Sequence, residues 1–534
     1  MFLPLLVKAQ PVSKKYSGNE TVFSGHRIVL DSAGKLLPWY SAPGKAYDAF
    51  LHSRWNFIKS GIAPAADTGV LSRYPQYYFY CAYFLKGDTL KPDSWMNDVG
   101  EKIPNWFESA RLYYGYSGDS TPLSIVRKLI DYHMERGIAP ASFSWAFIPF
   151  ANANAGDTVF NGFTSASRFE QYETQVDHSA EIALTWLQLY LSNGEEKYLV
   201  AARRVADLLA AKLRTGSKNQ SPWPYLVNAK TGRSRSEYGA NWTGAYVLFE
   251  KMIALKQGDR SRYEKVLRTL KDFLLAFPLK TGYWTDGHSD TYVNSSSYRS
   301  NLSASNFKLF LFDHPDFDKN WKKDLPQLLD WTEKYFVDRS APGETGRLWG
   351  AYIVGEQDSF LYKMDYQTAR YAAECARWYA VSNDKRFKEK AFRSLNFVTY
   401  CSDSSGVANE SPLSNGISNW WSDCYGEGPR MFYQAFAGIP EWSPPGENHL
   451  LYSTAIISVI SYHPSSVQYQ SRERNGVEYL HLNFRPASVL INGEALGKSA
   501  NASGQFFETR QLRNGDYFLK IYRKRAGLVV VRDK

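Results

Sequence analysis

Five short breaks recur along the chain at intervals of 76, 64, 58 and 67 residues, and they constrain the fold more than any other feature. They are centred on Gly118 (YGYSGDSTPL), Gly194 (YLSNGEEKYL), Gly258 (ALKQGDRSRY), Asp316 (FDHPDFDKNW) and Asn383 (AVSNDKRFKE). Each follows a run with helical spacing, such as Ile182, Trp186, Leu189 and Tyr190, and precedes another, such as Tyr198, Ala201, Val205 and Leu208. Gly or Asn at the break suits the left-handed end of one helix, and the acidic residues after it suit the start of the next. A period of this size holds one helical hairpin, a unit that buries its apolar faces only by packing on its neighbours. A sixth hairpin is expected either around residues 45–90 or from a helix running from Gly426 to Phe436. Because the repeats are not uniform in length, a closed ring is favoured over an open solenoid. The expected fold is mainly α, an (α/α)6 toroid of helical hairpins over residues 45–445.

The loop–helix junctions carry a second regularity. From Glu101 to Gly118, Asp177 to Gly194, Asn241 to Gly258 and Arg299 to Asp316 the offset is 17 residues, and from Asp365 to Asn383 it is 18. Equal offsets in a closed array occupy equivalent positions, so Asp177, Asn241, Arg299 and Asp365 are expected to face one another around a cavity. The stretch NWWSDCYGEGPRMFY places Asp423 and Glu427 at a further helix start. Asp and Asn are also ordinary N-caps, each worth about 1 kcal/mol. Their aromatic company argues for more than capping: Trp242 follows Asn241, Tyr298 precedes Arg299, Tyr366 follows Asp365, and Trp420, Trp421 and Tyr425 flank Asp423. Sugar rings present flat C–H faces that aromatic rings cover well.

These positions suggest a chemistry. One carboxyl group whose pKa is raised by an apolar wall can protonate a leaving group while a second activates water, about 6.5–9.5 Å away in an inverting glycosidase. Asp177 and Asp365 are the first expected catalytic pair, with Asp423 and Glu427 in reserve. His178 would orient a carboxylate or bind a substrate carboxyl, although an imidazole at a helix start is equally suited to packing. The loop GYWTDGHSDTYVNSSSYRSN contributes Trp284, His288, Tyr298 and Arg299 as expected substrate contacts, and RLWGAYIVGEQDSFLYKMDY contributes Trp349 and Tyr366. Asp286, His288 and Asp290 could ligate a metal, but their spacing matches no strong metal signature, so a metal in this loop stays open while no cofactor is expected. No GxSxG, HExxH, phosphate-binding or dinucleotide fingerprint stands in a suitable setting.

Beyond the pattern EWSPPGENHL the chain changes character. Alternating runs such as VEYLHLNF and YFLKIYR, with Asn-Gly pairs at 475–476, 492–493 and 514–515, read as a small antiparallel β-domain over residues 446–534. Residues 11–44 are expected to form a β-hairpin extension. Residues 1–10, a short apolar run before Ala9, read as the remnant of an export signal, which implies a periplasmic or extracellular protein. The four cysteines show no metal spacing, and a Cys401–Cys424 disulfide is compatible with such a compartment. The net charge of +10 is dispersed, without a nucleic-acid-binding motif, and fits an acidic polysaccharide as partner as well as plain solubility.

The hairpin array, with VDHSAEIALTWLQLYLSNGEEKYLVAARRVADLL as its best copy, resembles the six-hairpin glycosidase-like proteins, (α/α)6 toroid enzymes that include unsaturated uronyl hydrolases and several polysaccharide lyases. The resemblance covers roughly residues 45–440 and is architectural. It implies a carbohydrate-active enzyme with an appended β-sandwich. The expected activity is a glycoside hydrolase acting on a polysaccharide or oligosaccharide that contains uronic acid. The alternatives are a lyase using Tyr298, Arg299 and His288, and a glycan-binding protein without turnover.

Overall fold

The computed structural model describes residues 22–23, 26–40, 44–61, 82–86, 89–92, 99–153, 157, 159–164, 169–285, 299–337, 347–358, 365–410, 420–498 and 504–533. The helices begin with α1 (Ala46–Asn56), followed by the hairpins α2 (Val99–Ser117) with α3 (Thr121–Arg136), α4 (Val176–Asn193) with α5 (Glu196–Ala211), and α6 (Thr243–Ala254) with α7 (Arg260–Ala276). A single turn, α8 (Pro278–Thr281), precedes the hairpins α9 (Asn301–Asp313) with α10 (Trp321–Phe336) and α11 (Asp365–Ser382) with α12 (Lys385–Thr399); α13 (Asp423–Gly438) is last. The breaks fall where the sequence places them. Gly194 caps α4 with φ 81°, and Asn383 holds φ 57° between α11 and α12, a left-handed conformation that Asn tolerates better than most side chains.

Burial separates two rings of helices. On α11 every residue from Asp365 to Trp378 is buried, and α2, α4, α9 and α13 are nearly as enclosed. Helices α5, α7, α10 and α12 bury one stripe each, such as Tyr263, Val266, Leu270, Phe273 and Leu274 on α7, and expose the opposite face. The enclosed helices α2, α4, α6, α9, α11 and α13 contact one another in that order, and α13 returns to α2. The ring therefore closes. Its sixth hairpin uses both candidate segments rather than one of them, because α1 from the start of the chain packs beside α13 through Phe50 on Phe432 at 4.6 Å and Tyr47 on Phe432 at 5.4 Å.

The C-terminal residues form two packed antiparallel sheets. One runs in the order His449–Ser453, Gly476–Leu482, Tyr517–Arg523, Phe506–Gln511; the other runs Val459–His463, Ser466–Ser471, Gly527–Arg532, Ser488–Ile491, Glu494–Ala495. Asn492 and Gly493, at φ 52° and 86°, make the two-residue hairpin the sequence suggests. Asn475–Gly476 does not, because the strands on either side lie in different sheets. The sandwich seats on the C-terminal ends of the inner helices: Tyr462 donates to the Gly115 carbonyl, Glu473 pairs with Lys251, and Tyr452 donates to Asp313 at 2.5 Å. At the N-terminal end, His26–Arg27 and Leu36–Leu37 belong to two short hairpins, and Arg393 and Asn396 of α12 both donate to the Leu36 carbonyl at 2.8 Å. Cys375, Cys401 and Cys424 are buried free thiols, so the expected Cys401–Cys424 disulfide is not formed.

Candidate active site

The inner helices all start at the end of the ring opposite the sandwich, and the equal offsets have a structural meaning. Glu101, Asp177 and Asp365 occupy first turns of α2, α4 and α11, Asn241 and Arg299 lie two residues ahead of α6 and α9, and Asp423 opens α13. Six helix N-termini gathered at one mouth supply partial positive charge, which first-turn carboxylates complement. Equal height around the ring does not fix the direction of a side chain, since each residue along a helix turns by about 100°. The charged groups fall into two sets.

The first set is sealed in the wall. Arg54 of α1 donates to Asp365 at 2.8 Å, and both side chains are about fully buried at 1% and 0% exposure. Burial pushes the Asp365 carboxyl up to about 6, against the pull of Arg54. Lys102 binds Asp423 at 2.5 Å, and Lys308 binds Glu374 at 2.5 Å. A Cβ added at Gly428 would meet Asp365 Oδ1 at 2.5 Å, so α13 presses directly on this carboxylate. Asp365 and Asp423 thus fasten α1 to α11 and α2 to α13. In this structure each carboxylate is held by its own cation and closed off from solvent.

The second set points down the axis. Glu181, one turn after Asp177 on the same face of α4, accepts a hydrogen bond from Asn241 at 3.1 Å, and Asn241 accepts one from Asn306 of α9 at 3.0 Å. Arg370, one turn after Tyr366 on α11, donates to Asn306 at 2.8 Å and forms an ion pair with Glu427. Asn105 of α2 donates to Glu427 at 3.3 Å. Glu101 lies within electrostatic reach of Glu181, Tyr366, Arg370 and Arg430, four residues on three other inner helices. Only a position in the lumen satisfies all of these contacts. Burial raises the Glu181 pKa, with His178 and Arg430 opposing it and Glu101 reinforcing it. Burial and the Arg430 charge lower Arg370 to about 9. Two carboxyl groups, one with its pKa displaced upward, therefore lie within electrostatic reach of two guanidinium groups.

The remaining expected contacts divide sharply. His178 packs against α2, where a Cβ at Gly100 would meet it at 2.6 Å, and it remains beside Glu181. Trp242 and Trp284 are fully buried, the former donating to the Gly239 carbonyl and tilted on Trp223 at 5.2 Å, the latter against Phe307 at 5.1 Å. Tyr425 is stacked on Trp106 at 6.2 Å, and its hydroxyl donates to Gly406. These rings pack against other aromatic side chains in the wall. Tyr366 is buried and donates to Glu356 at 3.0 Å, and Trp349 packs in a small cluster with Leu36 and Phe397. Arg299 is ion-paired with Asp358 at 3.0 Å and lies over the Tyr335 ring. Trp420 and Trp421 pair through their backbones with Tyr83 and Ala82. His288 and Tyr298, together with Asp286 and Asp290, lie outside the described residues. Among the described residues no cluster of His, Cys, Asp and Glu could hold a metal.

Glu181, Arg370 and Arg430 are the residues that junction reasoning passes over, and Glu101 stands in the register without being singled out. Their signal is polar side chains one or two turns inside helices that are otherwise apolar: Asp177 then Glu181, Tyr366 then Arg370, Asp423 then Glu427 and Arg430.

No family model and no curated protein matches this chain. Among solved structures it is similar to a D-mannose isomerase, with a TM-score of 0.51 and 10% identity over 74% of this chain and 99% of that one. It is also similar to a cellobiose 2-epimerase from Bacillus thermoamylovorans B4167 (TM-score 0.48, 8% identity, 72% and 98% covered). A family 76 glycoside hydrolase from a bovine Bacteroides thetaiotaomicron strain gives 0.47 at 12% identity, with 74% and 79% covered. At such identities the likeness is one of fold. The chain has the (α/α)6 toroid of the six-hairpin glycosidase-like enzymes, with a β-sandwich appended.

Proposed function

We propose that this protein is a carbohydrate-active enzyme, a glycoside hydrolase that cleaves an oligosaccharide or polysaccharide containing uronic acid inside the mouth of the ring. The observation that carries this reading is the Glu101–Glu181 couple. Two carboxyl groups from neighbouring inner helices lie within electrostatic reach of each other, and burial favours the protonated form of one of them. That is the division of labour a general acid and its partner base require. Glu181 donates the proton to the leaving oxygen, and Glu101 activates water or stabilises the charge that develops at the sugar. Asp177, on the same face of α4 as Glu181, assists at the entrance, and Asn241 orients the Glu181 carboxyl. The sugar partner implies export to where polysaccharides occur. No helix among the described residues is long and apolar enough to cross a membrane.

Elimination is the weaker alternative, since Arg299, the cation it would use to neutralise a uronate, is engaged by Asp358. One observation favours a second reading, proton transfer beside the carbonyl of a free sugar: His178 stands next to Glu181 and supplies the second base such a reaction needs. Product analysis separates the possibilities. Incubation with a panel of acidic and neutral oligosaccharides should release reducing ends without absorbance near 235 nm. Absorbance would mark elimination, aldose–ketose conversion without bond cleavage would mark isomerisation, and the absence of any turnover would mark a binding protein.

A further inference from the structure

Among the described residues, one cation at the lumen, Arg430, keeps a buried donor without a close acidic partner. Arg430 lies on α13, one turn below Glu427, with its side chain 16% exposed. Its Nε is buried without a hydrogen-bond partner. Its ion-pair contact among the described residues, Nη2 to Glu427 Oε1, is long at 3.9 Å, and that glutamate is already engaged by Arg370 and Asn105. The guanidinium is felt by Glu101 and Glu108 on α2, Glu181 on α4 and Arg370 on α11, which places it on the axis directly below the carboxyl couple. Of the acids around it, Glu108 is held by Arg111 at 2.5 Å and Glu181 by Asn241. Every other buried cation at this level has a close acidic partner: Arg54 has Asp365, Lys102 has Asp423 and Lys308 has Glu374.

A guanidinium presents five N–H donors in a planar fork, and burying any of them without an acceptor is unfavourable. Such a group is normally completed by what binds there. We propose that Arg430 is the specificity-determining residue of the site, receiving the carboxylate of a uronic acid unit in a forked, charge-assisted hydrogen bond. This rests on the functional reading above and deepens it, by assigning recognition of the acid group to a residue distinct from the couple that moves protons. The chemistry of the fork supports the choice: two parallel N–H donors match the two oxygens of a carboxylate, whereas a hydroxyl or a hydroxymethyl group engages only one. Burial and the neighbouring Arg111 also lower the Arg430 pKa, a stress that an arriving anion relieves.

The test uses the full chain and two monosaccharide probes that differ only at C6, sodium D-glucuronate and D-glucose, titrated at neutral pH. The wild type should bind glucuronate about tenfold or more tightly than glucose, the effect of a charge-assisted pair. Arg430→Gln should remove that preference while binding glucose as before, and Arg430→Lys, which keeps the charge but loses the fork, should fall between them. If Arg430→Gln does not fold, as judged by circular dichroism, the lysine variant carries the comparison. Equal affinity of the wild type for both sugars, or an unchanged preference in either variant, would overturn the proposal. Glu181→Gln separates this from the functional reading: it should keep the glucuronate preference whether or not the wild type turns over a glycan.

Discussion

The wall and the lumen of the ring are both built from buried charge, and they use it in opposite ways. In the wall each cation has one acid: Arg54 with Asp365, Lys102 with Asp423, Lys308 with Glu374, all but sealed from solvent. In the lumen, Arg370 pairs with Glu427, whereas Glu101, Glu181 and Arg430 influence one another across neighbouring helices and remain partly exposed. A closed pair has already spent its capacity to bind, so it holds helices together. An open cluster keeps donors, acceptors and a displaced proton available to a ligand. The same inner helices supply both sets, a few residues apart.

Substitutions in the two sets should therefore fail differently. The largest effect is expected at Glu181→Gln, with kcat falling by about 10²–10⁴ and thermal unfolding little changed; a drop in KM alone would move Glu181 out of the chemistry. The wall gives the reverse. Asp365→Ala strands the Arg54 guanidinium and should destabilise the fold by roughly 3–5 kcal/mol, read as a lowered midpoint in denaturant titration. Lost turnover with an unchanged midpoint would instead restore Asp365 to the catalytic pair. Trp242→Ala tests the aromatic filling of that wall: a stability loss of about 3–5 kcal/mol is expected from the cavity, with substrate affinity unaltered in the molecules that remain folded. The smallest effect belongs to the sandwich contact. Lys251→Ala, which breaks the pair with Glu473, should cost about 1 kcal/mol and leave kcat/KM unchanged, unless the sandwich shapes the lumen from below.

What could be read from the sequence follows the same division. Helical periodicity and left-handed breaks at Gly194 and Asn383 are local properties, and they located five hairpins directly. Closure was harder, because α1 and α13 lie at opposite ends of the ring-forming chain and each looks incomplete alone. The heights of Glu101, Asp177, Asn241 and Asp365 were legible as equal offsets, since the inner helices are similar in length. Their directions were not. One residue along a helix turns a side chain from lumen to wall, which separates Asp365, facing Arg54, from Tyr366, bonded to Glu356. The aromatic residues follow the same rule: Trp242 and Tyr425 sit next to junctions in sequence, and both are buried, as is Trp284. Glu181, Arg370 and Arg430 were visible as polar interruptions of apolar faces, a signal that becomes specific only once the facing helices are known.

The proton on Glu181 links the geometry to the chemistry most directly. Burial raises its pKa, so a reaction that needs its acid form should lose rate as pH rises through that raised value, and kcat/KM of the wild type on a cleavable oligosaccharide should show an alkaline limb. Measured beside it, Glu181→Gln should have a low residual rate without that limb. An identical pH profile in both proteins, limb included, would contradict the assignment of the lumen couple as the acid and base of this enzyme.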